Sequence, residues 1–580
     1  MTKSRKQPAP TDEVARVETR NGSKRRSANG LVERWGWAVL VVVPLLVYVK
    51  TISFGITHLD DFIFIFDKDA FNSRFTNLFR VFSIGVFMEK DIYYRPLFLA
   101  TFVIERAFVD LENSLTAYRL YHCTNLALHI GCVLLLHRFL KALDVTQRGA
   151  LLLALLFAVH PALTMAVAWI PGRNDTLLTL FVLGFFVNLH AYLQQYDKKH
   201  LLWQFLFFSG AVFTKETAVF VPAVATLYLW AMRVKPFGTR SLLVHATWVP
   251  VVVLWYALRS RVLDTTQDAR SWTQVATDAF SRLPAYLVYL GKSFFPFNLS
   301  VYPTLINETV WFGIAAVAVL AVLFYFTAAR PYRIWLFGMG WFAVFIAPFL
   351  LVPPNVNDQV FEHRLYLPMV GLLVALGHTL VFNGSVKFNR VAAGSVAVAV
   401  LFAALVIRYL PIFNDSIRFW QSAVAASPQF SYAHKLLGVR YIQNNQKEKA
   451  LPEFKRAYEL NKQEKHVRFF IARDELIPAG KTDEATKLLY EEIKLNPTYT
   501  EAYFQLSHLY FQQNELDSTL KYLLLSREHQ PNDPMINNNL LLTFIQLGDY
   551  AGAKNQMAFM QQNGLVVDGG AAAKVEAMKR

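Results

Sequence analysis

Apolar runs alternate with short polar connections through residue 411, and a different periodicity takes over after Pro411. The first run, Trp35 to Ile52, is too long for a signal-peptide core. No small-residue cleavage site follows it, so it predicts an uncleaved membrane helix. Further runs lie near 120–137, 149–170, 175–195, 201–214, 217–232, 242–258, 310–328, 334–352, 365–382 and 391–411. Each has about the length needed to cross a bilayer, so the pattern predicts eleven crossings. The stretch 279–296 is also helical in pattern. As a full crossing it would invert everything after it, so it is assigned as interfacial or re-entrant.

After Pro411 the chain is polar, charged and helical, with units about 34 residues long that end near Pro428, Pro497 and Pro531. Leu437, Gly438, Tyr441, Ala450, Phe454 and Ala457 superpose on Leu506, Ser507, Tyr510, Thr519, Leu523 and Ser526. A third unit supplies Leu540, Leu541, Phe544, Ala553 and Met557. The unit between, 463–497, carries one extra residue and matches poorly in its first helix. Small and large apolar residues at these spacings let paired helices interlock and stack, which is the tetratricopeptide pattern. Phe419 to Ser427 reads as the second helix of a partial leading unit.

Composition agrees with this division. The chain is 54% hydrophobic and only 17% charged, where a soluble globular chain carries about a quarter charged residues. Twenty-six Gly and 24 Pro exclude a collagenous chain, and two cysteines exclude a disulfide scaffold. The expected organisation is a disordered basic cytoplasmic tail (1–34), a membrane domain (35–411), about four repeats with a partial leading helix (412–564) and a C-terminal tail (565–580). The formal charge of +16 does not imply nucleic acid, because membrane proteins collect Lys and Arg in cytoplasmic loops. Cys123 and Cys132 share one expected helix, too far apart along its axis to bridge.

The basic residues set an expected topology. Arg138, Lys141 and Arg148 share one connection, Lys198 and Lys199 the next. Arg233, Lys235 and Arg240, then Arg330 and Arg333, then Lys387 and Arg390 follow. Every second connection is basic, as the positive-inside rule requires, so the N-terminus is expected inside and the repeats outside.

The opposite connections hold the chemistry-bearing residues. They carry His58-Leu59-Asp60-Asp61, Tyr93-Tyr94-Arg95-Pro96, His160-Pro161, Gly172-Arg173-Asn174-Asp175, Thr214-Lys215-Glu216 and Glu362-His363-Arg364. Charge at a membrane edge is expensive and needs a reason. Singly, each cluster reads as a cap, a helix break or an interfacial anchor. Together, on one expected side, they predict a shared cavity. A carboxylate there can accept a proton from an attacking hydroxyl. Arg and Lys can hold phosphate oxygens. A membrane-edge position leaves a lipid tail in the bilayer. These features suit sugar transfer from a lipid phosphate through an oxocarbenium-like state.

The ordered set Asp60-Asp61, Tyr94-Arg95-Pro96, Phe157-Ala158-Val159-His160-Pro161, Gly172-Arg173-Asn174-Asp175, Phe213-Thr214-Lys215-Glu216 and Glu362-His363-Arg364-Leu365-Tyr366-Leu367-Pro368, followed by repeats, resembles the transmembrane-and-tetratricopeptide-repeat O-mannosyltransferases and their bacterial relatives. The resemblance covers roughly 35–564. It implies an all-α chain: a polytopic C-type glycosyltransferase (GT-C) helix bundle followed by a tetratricopeptide α-solenoid. It implies a polyprenyl-phosphate sugar donor, mannose or another hexose, a hydroxyl of a protein acceptor, and action on the lumenal or periplasmic face. The acidic pair Asp60 and Asp61 is then catalytic, with Asp60 preferred at the helix exit. Arg95, Arg173, Lys215 and Arg364 hold the donor phosphate, supported by His160, Asp175, Glu216, Glu362 and His363. His363 stands where many members carry Arg. The short repeat array favours a bacterial inner membrane with periplasmic repeats over an endoplasmic reticulum membrane with lumenal ones.

Asp60 and Asp61 could help hold a divalent ion, though no further oxygen-ligand cluster is evident beside them. No other cofactor is expected. Two alternatives stand against the enzyme. A non-catalytic scaffold whose repeats recruit envelope or secretory partners would have no use for an acid beside an arginine-lined cavity. A flippase for polyprenyl-linked sugars would need internal repeats or broken helices near the midplane, and the membrane half shows no internal symmetry.

Overall fold

The computed structural model describes residues 35–87, 93–111, 114–263, 270–327, 331–352, 359–382 and 386–578. The expected basic tail 1–34 and Arg330 lie outside them. Among the described residues the chain is helical, with one isolated bridge between Thr304 and Gln359. It divides into two compact units, Met1–Ser422 and Ala423–Arg580. The division falls inside the helix Ser416–Ala426, the expected leading helix.

The first unit shows about six clear spans by length and composition, where the sequence pattern predicts eleven crossings. Among the described residues, six helices are long and apolar enough to cross a membrane: Trp35–Ser53, Ser114–Ala142, Ile170–Gln195, Ser241–Val262, Tyr332–Leu351 and Asn389–Phe413. The pair Gln147–Ala158 and Pro161–Ala168, bent by 56°, makes a seventh if it is one span. The other runs are helical but short. Lys198–Thr214 has 17 residues, Trp311–Phe326 has 16 and Tyr366–Gly377 has 12. At 1.5 Å per residue these reach roughly 18–26 Å, against a hydrocarbon core of about 30 Å. Charged motifs bound two of them: Lys215 lies between Lys198–Thr214 and the helical stretch Glu216–Ala231, and Glu362–Arg364 precedes Tyr366. The stretch 279–296 contains the helix Pro284–Phe294, whose 11 residues reach about 16 Å.

Glycines set the closest crossings. A Cβ on Gly338 would meet the Gly371 carbonyl oxygen at 2.4 Å, and one on Gly371 would meet that of Gly338 at 2.3 Å. The helices Tyr332–Leu351 and Tyr366–Gly377 therefore touch backbone to backbone. Apolar side chains such as Val249, Val253, Val317, Val322 and Val400 remain exposed on the outer faces. Lipid, unlike water, imposes no hydrophobic cost on such a surface.

The second unit stacks helix pairs: Ser431–Gln443 with Lys447–Leu460, Thr500–Gln512 with Leu516–His529, and Pro534–Gln546 with Tyr550–Gln562. The repeated positions Leu437, Ala450, Phe454, Ala457, Leu506, Leu523, Leu540 and Ala553 are buried. Gly438 is small because a Cβ there would lie 2.7 Å from the Phe454 ring. The turns within these three pairs have a left-handed residue, Asn445, Asn514 or Gly548, and so does the turn before Thr482–Leu495 in the irregular unit, at Gly480. This is the usual way to end a helix tightly. The extra residue of the irregular unit is absorbed as a π-turn over Ala472–Leu476, which is how a helix accommodates one residue too many. The expected C-terminal tail is instead partly a helix, Gly569–Ala577. Its Ala571 and Val575 are buried against Leu541, Ala553 and Met560 because its apolar face closes the end of the stack.

Candidate active site

The chain leaves the first span through a tight turn in which His58 takes a left-handed conformation. Asp61 closes this turn. Its Oδ2 accepts from the Thr57 backbone N–H at 2.6 Å and from Thr57 Oγ1 at 2.9 Å, and its Oδ1 accepts from the Phe62 N–H at 3.1 Å. The Asp60 side chain is half-buried and makes no hydrogen bond among the described residues. Burial, and then the neighbouring Asp61 charge, push the Asp60 carboxyl up to about 7, against the pull of Arg95. Burial also raises Asp61, opposed by its hydrogen bonds.

Arg95 precedes Pro96, which opens the helix Pro96–Arg106. Its Nε donates to Glu216 Oε2 at 2.9 Å, and the same carboxylate accepts from the Tyr94 N–H at 2.8 Å. With the Asn174 amide oriented to satisfy its partners, its oxygen accepts from Arg95 Nη1 at 2.7 Å and its nitrogen donates to the Thr214 carbonyl at 3.1 Å. Lys215 Nζ donates to Asp175 Oδ1 at 2.7 Å, with both side chains nearly buried. Two residue pairs from three distant segments are thereby locked together.

Burial lowers the Lys215 ammonium pKa. Asp175 opposes that shift, while Arg95 and Arg364 add to it. The His363 imidazole is held well below its ordinary value by burial, then by Lys215, Arg364 and Arg95. These mutual influences place Asp60, Arg95, Lys215, His363 and Arg364 in one electrostatic neighbourhood with Asp175 and Glu216. Arg364 Nη1 donates to the Gln359 carbonyl at 2.6 Å, and its guanidinium lies 4.8 Å from the Phe349 ring centre. A lone phosphate oxygen has cations to meet here, and the acids keep Arg95 and Lys215 in place.

Three expected residues lie elsewhere. Arg173 is fully buried among the helices. Its Nε donates to Asn125 Oδ1 at 2.9 Å, Nη1 to Thr101 Oγ1 and to Glu105, and Nη2 to the Tyr121 carbonyl at 2.8 Å. Four of the five guanidinium N–H groups are used inside the protein, so Arg173 is not placed to bind a donor phosphate. Gly172 beside it is a packing residue, since a Cβ would meet the Met165 carbonyl oxygen at 2.7 Å. His160 caps the short helix Pro161–Leu163, accepting from the Ala162 N–H at Nδ1 and facing the Ser293 carbonyl with Nε2 at 3.1 Å. Glu362 engages a different cation, accepting from Lys292 Nζ at 2.9 Å and from the Ser300 N–H at 2.8 Å.

Lys292, Glu105 and Asn125, absent from the expected set, pair with the motif residues Glu362 and Arg173, and Glu308 pairs in turn with Lys292. A signal was present for Lys292, a lone charge inside the apolar run Tyr289–Phe297. Among the described residues no group of three or more His, Cys, Asp or Glu side chains comes together to hold a metal ion.

No protein-family model matches this chain. It is similar in part to two curated proteins. Protein O-mannosyl-transferase TMTC1 of Homo sapiens is 33% identical over 146 residues, covering 23% of this chain and 16% of that protein. Protein O-mannosyl-transferase TMTC2 of Mus musculus is 32% identical over 143 residues, with the same two shares of 23% and 16%. The match thus spans about one-sixth of the length of these relatives. Among solved structures, MamA matches with a TM-score of 0.23 and 17% identity, covering 26% of this chain and 86% of that one. YrrB, described as a TPR protein with an unusual peptide-binding site, matches with a TM-score of 0.24 and 18% identity, over 31% of this chain and 90% of that one.

Proposed function

We propose that the protein is a membrane glycosyltransferase that moves a hexose, mannose in the simplest case, from a polyprenyl-phosphate donor to a hydroxyl of a protein acceptor. The observation that carries the reading is the convergence of three segments far apart in the chain, where Arg95 meets Glu216 and Asn174 and Lys215 meets Asp175, with the Asp60 carboxylate, which makes no hydrogen bond among the described residues, under the influence of Arg95, and Lys215 under that of Arg95 and Arg364. The partial similarity to two protein O-mannosyl-transferases supports it.

Asp60 accepts the proton of the attacking hydroxyl, a role that needs an ionised oxygen free of other hydrogen bonds. As the bond from the sugar to the donor oxygen stretches, charge grows on the departing phosphate, and Arg95, Lys215 and Arg364 take it up. Their partners Glu216, Asp175 and Asn174 hold the first two in position before the donor arrives. The site opens at a membrane edge, outside the cell or in a lumen, and the repeats on that side hold the acceptor chain.

The test is mass spectrometry of exported proteins from cells with and without the chain. Peptides that lose 162 Da on deletion, about the mass of one hexose residue, and regain it with the wild-type chain but not with Asp60→Asn, support the proposal. An unchanged exported proteome overturns it and moves the reading to a scaffold.

A further inference from the structure

We infer that Lys292 is a positioning residue for this site: its ammonium, clamped between Glu308 and Glu362, sets the turn that aims His363 and Arg364. The inference rests on the proposed reading of Arg364 as a donor-phosphate ligand.

Lys292 lies in the last turn of the helix Pro284–Phe294. Its Nζ donates to Glu308 Oε1 at 2.6 Å and to Glu362 Oε1 at 2.9 Å, and these side chains are 5%, 6% and 0% exposed. Glu362 also accepts from the Ser300 N–H. One ammonium therefore ties together the helix, the 300–308 loop and the turn Glu362–Leu365.

The seat of Lys292 is rigid. A Cβ on the adjacent Gly291 would meet the Gly313 backbone nitrogen at 2.8 Å, and one on Gly313 would meet the Leu287 carbonyl oxygen at 2.1 Å. The helix cannot slide or rotate against its neighbour without a backbone collision.

The turn converts that seat into an aim. Glu362–Leu365 is a 3-10 turn, in which successive side chains diverge by about 120°. Glu362 points to Lys292. His363 lies against Met165 Sδ at 3.5 Å and between the rings of Phe361 and Trp169. Arg364 lies against Phe349. Glu362 cannot be released without turning the other two. If Lys292 loses its charge, two buried carboxylates remain where both cannot ionise, and the anchor fails.

Binding of polyprenyl phosphate without sugar to the full chain in lipid nanodiscs tests this. Arg364→Ala reports on the parent reading, and at least about tenfold weaker binding is expected from one lost charged hydrogen bond. Lys292→Met should weaken binding by a similar factor, although it keeps the length of the aliphatic stem. Lys292→Arg should bind within about threefold of wild type, and Lys292→Met with Glu308→Gln should regain part of the loss, which mere packing would not produce. If Lys292→Met does not fold, Glu362→Gln carries the same expectation. Wild-type affinity in Lys292→Met or its substitute, with Arg364→Ala weakened, overturns the positioning role alone. Wild-type affinity in Arg364→Ala overturns the donor-phosphate reading instead.

Discussion

Asp60 and Asp61 are neighbours in sequence with opposite structural situations: the Asp61 carboxylate accepts three hydrogen bonds from Thr57 and Phe62, and the Asp60 carboxylate accepts none among the described residues. The two conservative amides should therefore separate. Asp60→Asn should reduce transfer at least about 10²-fold with unchanged thermal unfolding, as expected for a lost catalytic base. Asp61→Asn should lower stability by about 1–3 kcal/mol through the loosened turn. Full transfer in both variants sinks the catalytic assignment.

Asp60 also predicts a pH profile. With its carboxyl near 7, the ionised base grows as pH rises, so transfer should climb tenfold per pH unit below about 7 and level off above it. The stability sign is opposite. A raised carboxyl binds its proton more tightly folded than unfolded, so this group's contribution falls as pH rises from about 4 to 7. A transfer rate that is flat from pH 5 to about 8 contradicts the first statement.

Arg173 should behave as a structural ion. Arg173→Ala leaves the Glu105 carboxylate buried and unpaired, which costs about 3–5 kcal/mol. Pairing Arg173→Met with Glu105→Gln should restore much of the folded yield, with polyprenyl-phosphate affinity close to wild type. Folded double variant that binds the lipid at least about tenfold more weakly would return Arg173 to the phosphate site.

Gly172→Ala tests packing beneath the same motif. The added methyl would sit 2.7 Å from the Met165 carbonyl oxygen and 2.9 Å from Ala166, so the backbone must move. A loss of about 1–3 kcal/mol in unfolding stability is expected, read by thermal unfolding of the purified protein.

Labelling tests the side on which the repeats lie. A cysteine replacing Lys447, in the exposed first turn of the helix Lys447–Leu460, should react with a membrane-impermeant maleimide added to intact cells. Reaction only after permeabilisation would put the repeats inside. Removal of 428–580 should abolish transfer to protein while slow hydrolysis of the lipid-linked sugar survives.

Sequence alone determined the features that depend on local pattern. Apolar runs become helices wherever they fall, and the small and large positions Gly438, Phe454, Leu506 and Leu523 repeat because each pair packs on its neighbour in the same way. The charged motifs stood out because charge among apolar helices requires partners. Tertiary structure alone decided what those partners were. Arg95 and Arg173 look equivalent in the sequence, yet one meets Glu216 and Asn174 across 121 and 79 residues and the other is enclosed by Glu105, Asn125 and Tyr121. Helix length was likewise a tertiary outcome: Lys215 caps the end of Lys198–Thr214 and reaches Asp175, and Glu362 opens the turn before Tyr366–Gly377 and reaches Lys292. A guanidinium carries the same charge wherever it stands, and only the donors and acceptors folded around it determine whether it binds a substrate or holds up the fold.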